Sequence, residues 1–272
     1  MPSNPTSDLP RRKIGFVLAS TNHGTLIVNR FDYHMLSPGN AYGVGHNLLD
    51  QSCYEPEELS LALQLLGYRR QYFGDGVVAL DCGANIGVFT VEWARAMTGW
   101  GTVLAVEAQE RLYYALAGNI AINNCFNAVA VHGAVSSESG ILKIPNPNYF
   151  VPSSFGSLEL RQREGNEFIG QPIDYAEDKM MPVNGVTIDS FALPRLDLIK
   201  LDVERMELAV LEGARQTIGR CLPIIVVEQL KTDAAALDAA LAAHGYRRYR
   251  AGLNLVAVHP SDATSNHVIE PE

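Results

Sequence analysis

The sequence predicts an α/β fold in which a mostly parallel sheet is flanked by helices and preceded by a small N-terminal cap. Three observations carry that expectation. From residue 77, strand-like and helix-like segments follow one another in strict turn: VVALDC, GVFTVEWARAM, GTVLAVE, ERLYYALAGNIAINN and AVAVHGAV. That order makes parallel strands joined by crossover helices. After an interruption the alternation resumes with LDLIKLDV, ERMELAVLEGARQTI, CLPIIVVEQ and AAALDAALAAHG, and closes with YRRYR and NLVAVH as a final pair. A chain of 272 residues, 47% of them apolar, is also long enough to enclose one large core.

Residues 1–53 read as a tail and cap. Within them, IGFVLAS and TLIVNRF flank an Asn-His-Gly turn and predict a hairpin, and SPGNAYGVGHN reads as a loop. A helix is expected in EPEELSLALQLLGYRR, because Pro56 suits a first turn and the acids after it face the positive end of the helix dipole. Arg69 and Arg70 face the negative end. The main domain is expected over 54–260, interrupted at 141–188 by an insert long enough to be a lid or a substrate wall. Its NYFVPSSF stretch, with Ser153 and Ser154, suits a wall against a ligand face. Residues 261–272, like the first few, read as a frayed tail.

A net charge of -9 with no basic block argues against nucleic-acid partners and leaves a small molecule as the expected one. Cys53, Cys82, Cys125 and Cys221 are scattered without paired spacing, which suggests neither a disulfide framework nor a zinc knuckle and suits reduced thiols in the cytoplasm. The apolar stretch IGFVLA is too short for a secretion signal, and no segment approaches the length of a membrane span.

In an open parallel sheet, ligands sit beyond the carboxyl ends of the strands, and the first strand-to-helix turn is the usual cradle. Asp81 to Gly87 occupies that place. A dinucleotide fingerprint would read G-x-G-x-x-G, but here the glycines fall at 83 and 87. A zwitterionic amino-acid tail can instead use a strand-end carboxylate and a polar turn side chain, which Asp81 and Asn85 offer. Glu107 ends the next strand, twenty residues after Gly87, where a carboxylate accepts hydrogen bonds from both hydroxyls of a ribose. The residues therefore indicate a nucleoside-bearing cofactor. A nicotinamide-dependent oxidoreductase shares that acid but not the glycine order.

DCGANIGVFT, VEAQERLYYALAGNIAINN, VHGAVSSESG and DLIKLDVERMELAVLEGA, in this order and spacing, resemble the FkbM family of S-adenosylmethionine-dependent methyltransferases over residues 54–230. The resemblance implies a class I methyltransferase (Rossmann-like) fold, a seven-stranded mostly parallel sheet with its last strand antiparallel. It also implies S-adenosyl-L-methionine as donor and O-methylation of a small hydroxylated acceptor, a sugar or polyketide-type natural product. Carried over by residue, Asp81, Gly83, Asn85 and Gly87 match the donor loop, Glu107 the ribose acid, and His132 to Ala134 the neighbourhood of the adenine. Tyr54 and Glu55 match an aromatic-acid pair that could close over the donor. Two positions depart from the pattern. Ala108 stands where proline is usual, and Arg205 stands in Asp202-Val203-Glu204-Arg205-Met206-Glu207 where the family commonly has glycine. Arg205 is expected to alter the acceptor pocket while sparing the donor site. If it blocked that pocket, the chain would be a non-catalytic donor binder.

An alcohol needs help losing its proton. Lys200, Asp202 and Glu204 alternate, so a strand continuing that far would put them on one face, the last two at its carboxyl end. Asp202 and Glu204 are therefore the candidates for binding or deprotonating the hydroxyl. The competing reading has Asp202 anchoring the strand end and Glu204 capping the following helix. Glu207 either extends the acidic patch or pairs with an arginine. Glu228 and Gln229 end a neighbouring strand and with Asp202 could hold Mg2+. The adopted reading is metal-free, with that ion as its alternative. His23, His34 and His46 lie in the cap, where a base would titrate near neutral pH.

Overall fold

A computed structural model describes residues 12–268. The cap holds β1 (Phe16–Thr21), β2 (Gly24–Asn29), β3 (His34–Ser37), β4 (Asn40–Tyr42) and α1 (Val44–Gln51), followed by α2 (Pro56–Phe73). Then come β5 (Val77–Cys82), α3 (Val88–Ala96), β6 (Gly101–Glu107), α4 (Glu110–Ile122), β7 (Ala128–His132), β8 (Ala134–Val135), β9 (Gly140–Ile144) and β10 (Met181–Val186). The last part runs β11 (Leu198–Leu201), α5 (Glu207–Glu212), α6 (Arg215–Cys221), β12 (Ile224–Glu228), α7 (Ala234–Ala243), β13 (Arg247–Ala251) and β14 (Asn254–Val258).

Seven strands form one sheet in the order β13-β14-β12-β11-β5-β6-β7. β11 pairs in parallel with both β5 and β12, and β6 with both β5 and β7, whereas β14 runs antiparallel to β12 and β13. This is the mostly parallel sheet that the alternation predicts, with the antiparallel last strand that the resemblance implies. Both faces are covered. Along β5, Val77 and Ala79 enter one core with Leu65, Leu66 and Trp93, while Leu80 and Cys82 enter the other with Val210, Ile218 and Leu237. Side chains alternate across a strand, so a two-sided core needs the near-continuous apolar runs seen in β5, β11 and β12. Each fully buried leucine contributes about 1.5–3 kcal/mol.

Several boundaries differ from the sequence expectation. The stretch expected as a loop at 37–47 contains the last residue of β3, all of β4 and the start of α1. The apolar run 128–135 is divided at Gly133: β7 stays in the main sheet, and β8 leaves it to pair with β10. The helix expected from 204 onward begins at Glu207 and is broken into α5 and α6. The insert is anchored at its base by β9 and β10, an antiparallel pair that completes a three-stranded sheet with β8. Its middle returns to the cap. There the buried Asp32 carboxylate accepts the backbone N–H groups of Gly45 and Phe155, both at 3.0 Å, and Ser153 N donates to Phe31 O at 2.9 Å. The tail expected to fray is packed as far as residue 268. Asp262 accepts from Arg69 Nη1 at 2.7 Å, and the His267 ring stacks on Tyr68 with centroids 4.0 Å apart. Residues 1–11 and 269–272 of the two expected tails lie outside the described residues. Among the described residues no helix is long and apolar enough to cross a membrane.

Candidate active site

The carboxyl ends of β5, β11 and β12 open into a cavity of about 370 Å3, roofed by the cap and the insert. Asp81, at the end of β5, and Gly83, Ala84 and Asn85 of the turn after it line the cavity, with Tyr42 from the cap, Tyr54 and Glu55 from the link into α2, and Ser154, Ser157 and Glu167 from the insert. Lys200, Asp202, Glu204 and Glu228 complete the floor. A side pocket of about 50 Å3 shares Gly83, Asp202 and Glu204 with it and leads past Glu107 to Gly133 and Val135.

The turn after β5 is built by close approach. Gly83 has φ 78°, and a β-carbon there would lie 1.8 Å from Asp202 O. This glycine is thus required by the neighbouring strand end, not only by a ligand. Gly87, at φ 87°, sits under α3, where a β-carbon would meet Leu116 Cδ1 at 2.5 Å. Asp81 is 1% exposed; its Oδ2 accepts the Thr90 hydroxyl at 2.6 Å, while its Oδ1 is buried without a hydrogen-bond partner among the described residues. A buried orphan acceptor beside a cavity fits a cationic donor such as the ammonium of an amino-acid ligand. Burial raises the Asp81 pKa, against the pull of the Lys200 charge.

Glu107 is 5% exposed, and its two oxygens accept the backbone N–H groups of Asn85 and Gln109, each at 2.8 Å. Burial nevertheless pushes its carboxyl up to about 7. A carboxylate oxygen accepts more than one hydrogen bond, so both remain able to take a ribose hydroxyl. His132 and Ala134 do not line either space. The His132 ring lies over Tyr113 with Nε2 3.2 Å from Ala108 O, and Ala134 packs with Ile144 and Val183. Gly133, between them, is the residue that borders the side pocket. Tyr54 and Glu55 do reach the cavity. His23 is buried beneath them, accepting Tyr54 N at 3.0 Å on Nε2 with Nδ1 3.1 Å from Glu92, which makes it a support for the turn. His34 packs against Tyr42 and Phe168, and neither His34 nor His46 lines the cavity.

The acids converge by a different route from the one expected. β11 stops at Leu201, and Glu204 and Arg205 follow in left-handed conformation with φ 48° and 66°. Glu204 therefore neither continues a strand face nor caps α5, whose N-cap is Met206. The turn instead brings carboxylate oxygens of Asp202, Glu204 and Glu228 within 4.8 Å of one another. Gln229, expected in that group, does not line the cavity. Burial, reinforced by the other acids, pushes Glu204 up to about 8 and Glu228 up to about 9. Two ammonium groups answer them. Lys200 Nζ lies 2.8 Å from Asp202 Oδ2, and Lys231 Nζ lies 2.6 Å from Glu204 and 2.5 Å from Glu167. Burial works against both lysine charges, but the surrounding carboxylates outweigh it and raise both pKa values. Glu207 accepts the Thr232 hydroxyl and pairs with no arginine among the described residues. Arg205 does not line the cavity and so does not block it; its side chain turns away to Glu159 and the Gly165 carbonyl.

Sequence reasoning missed Lys231, Glu167 and Tyr42. Lys231 follows Glu228 by three residues beyond the strand end, which was the available signal. With Glu55 and Glu58 as well, seven carboxyl groups face two ammonium groups around the cavity among the described residues, and the raised Glu55, Glu204 and Glu228 can give up their protons beside a cation. Such a wall favours a ligand that carries positive charge.

Residues 81–248 match the family model described as the methyltransferase FkbM domain. The curated protein methyltransferase sdnD of Sordaria araneosa is 26% identical over 231 residues, covering 78% of this chain and 83% of that protein. Among solved structures, a methyltransferase FkbM from Methylobacillus flagellatus is 15% identical with a TM-score of 0.49, over 71% of this chain and 48% of that one. This chain thus spans about half of that relative. A precorrin-6y C5,15-methyltransferase from Geobacter metallireducens is 15% identical with a TM-score of 0.43, over 76% of this chain and 88% of its own.

Proposed function

Since the chain belongs to the FkbM family of S-adenosylmethionine-dependent methyltransferases, we propose that it methylates a hydroxyl group of a small acceptor, a sugar or polyketide-type alcohol. The observation that carries the acceptor chemistry is the convergence of Asp202, Glu204 and Glu228 at the strand ends, beside the turn of Asp81 to Gly87. S-adenosylmethionine, when bound, supplies an electrophilic methyl on a sulfonium. The residues present suit it: Asp81 Oδ1 lacks a partner that an ammonium would provide, Glu107 faces the place for a ribose, and the side pocket past Gly133 suits a flat base. The acid-rich wall favours the sulfonium charge.

In the in-line displacement the chain supplies alignment and removes a proton. Asp202, held by Lys200 at 2.8 Å, accepts the hydrogen bond of the acceptor hydroxyl and orients its lone pair. Glu204 takes the proton. Its carboxyl, pushed up to about 8, is a better base than a solvated glutamate, and Lys231 balances its charge when ionised. The two lysines already serve as counter-charges in the cluster, which supports a metal-free reaction over Mg2+ at Asp202 and Glu228. The reading includes a cytoplasmic location, in keeping with four free cysteines.

The test is calorimetric titration with S-adenosylmethionine, S-adenosylhomocysteine and NAD+, followed by a screen of sugar and polyketide alcohols. Binding of the first two alone, and a methyl ether as product, are expected. Asp202→Asn should keep donor affinity and lose turnover. Donor binding without turnover across the panel, or methyl transfer to nitrogen or carbon, would sink the proposal.

A further inference from the structure

The turn after β11 is held in a conformation that its residues do not favour. Glu204 and Arg205 are consecutive left-handed residues, with φ 48° and 66°, where a β-carbon crowds the backbone and only glycine is relaxed. Such strain persists where the surroundings over-determine it. Here both side chains are tied to the same segment of the insert. Glu204 meets Lys231, which also holds Glu167. Arg205 places Nε 3.5 Å from Glu159 Oε2 and donates from Nη2 to Gly165 O at 3.3 Å.

Glu159 is the centre of that segment. It is 3% exposed, and it accepts Asn166 Nδ2 at 2.8 Å and Glu167 N at 3.1 Å, so the loop folds around its carboxylate. Tyr175 closes the far side by donating its hydroxyl to Glu159 O at 2.9 Å. A buried carboxylate needs a counter-charge. Among the described residues, Arg205 is the one cation within ion-pair distance of it. One short turn therefore sends an acid into the cavity and an arginine into the core of the loop that walls it.

We propose that Arg205 is a positioning residue that fixes residues 161–168 of the insert, beyond Leu158 and Leu160 which border the side pocket, in register with the acid cluster, and so sets the acceptor side of the cavity. The loop reaches the cavity through Glu167, which shares Lys231 with Glu204. Loss of the Arg205 anchor would leave that end held by Lys231 and by the Tyr42 hydroxyl on Glu167. The assignment rests on reading the cavity as an acceptor site, but its test needs no acceptor.

Arg161 and Arg163 are exposed in this loop and give trypsin two cleavage points. Arg205→Gly and Arg205→Ala both remove the anchor, whereas only the glycine relieves the left-handed strain. Both variants are expected to be cut at these arginines severalfold faster than the parent. With the loop released, the Glu159 carboxylate meets water instead of staying buried and unpaired, so the glycine variant, relieved of strain, should stay near the parent Tm and exceed the alanine variant, and both should bind S-adenosylhomocysteine with parental affinity. Parental cleavage rates would overturn the assignment. So would faster cleavage that merely tracks a lower Tm in the glycine variant, which describes an ordinary stabilising contact, or a loss of S-adenosylhomocysteine affinity. Should the alanine variant not fold, Arg205→Gly alone still decides, because its Tm and its cleavage rate are expected to move independently. Failure of the O-methylation reading would show separately, as lack of turnover in the parent.

Discussion

Glu107→Gln keeps the shape of a buried side chain and removes its charge. In the parent each carboxylate oxygen accepts one backbone N–H, from Asn85 and Gln109. An amide can accept at one end only, so its NH2 must face one of these donors and leave it unpaired. The variant also offers the ribose a neutral acceptor. Hydrogen bonds to a charged group are worth about 1.5–3 kcal/mol, so donor affinity should fall roughly 10- to 150-fold. The pH dependence is the sharper signature. Burial pushes Glu107 up to about 7, and the ionised form is the one that accepts two hydroxyls. Affinity should therefore rise with pH through 7. At pH 6 about a tenth of Glu107 is ionised, which weakens apparent affinity about tenfold from its plateau. Because the folded pKa lies above the ordinary carboxyl value of 4.5, the folded chain holds this proton more tightly than the unfolded one. Parent stability is thus lost between about pH 4.5 and 7, and the variant should gain on the parent across that window. Calorimetry with S-adenosylhomocysteine at pH 6, 7 and 8, beside urea unfolding at the same pH values, measures both. Equal affinities and equal pH slopes in parent and variant would refute the ribose assignment. Glu55, pushed up to about 7 by burial, titrates in both proteins, so the difference between slopes is the quantity to compare.

Three further outcomes test the rest of the site. Lys200→Met strips Asp202 of its buried partner and should cost about 3–5 kcal/mol in urea unfolding, less at acid pH where the carboxylates are neutral; a loss well under 1 kcal/mol would remove Lys200 from its counter-charge role. Gly83→Ala forces a β-carbon to 1.8 Å from Asp202 O in a left-handed residue, so a loss of about 2–5 kcal/mol and weaker S-adenosylhomocysteine binding are expected, and a parental Tm would show that the strand ends do not meet this closely. Turnover should survive excess chelator, because Lys200 and Lys231 already pair with Asp202 and Glu204; loss of activity restored by Mg2+ would give the cluster to a metal instead.

The elements that were legible are those with short-range causes. The alternation from β5 to β7 follows from side-chain period and apolar content, and Pro56 marks the start of α2 at the helix's first residue. The turn of Asp81 to Gly87 and the acid at Glu107 were found because both sit at strand ends, where a parallel sheet presents its ligand site. By contrast, the strand expected to carry Asp202 and Glu204 together ends before either, because two left-handed residues turn the chain, and nothing in the local pattern announces that for Glu204 and Arg205. Lys231 and Glu167 meet Glu204 from separate segments, and Asp32 ties Gly45 to Phe155 across more than a hundred residues.

By itself the sequence determined the sheet, its crossover helices and the family, since periodicity and turn chemistry act over a few residues and survive any arrangement of the loops. Only the tertiary structure decided which charges share the cavity and which way Arg205 points. Ion pairs and buried carboxylates depend on where distant segments come to lie, and their strength depends on the burial that the complete fold creates.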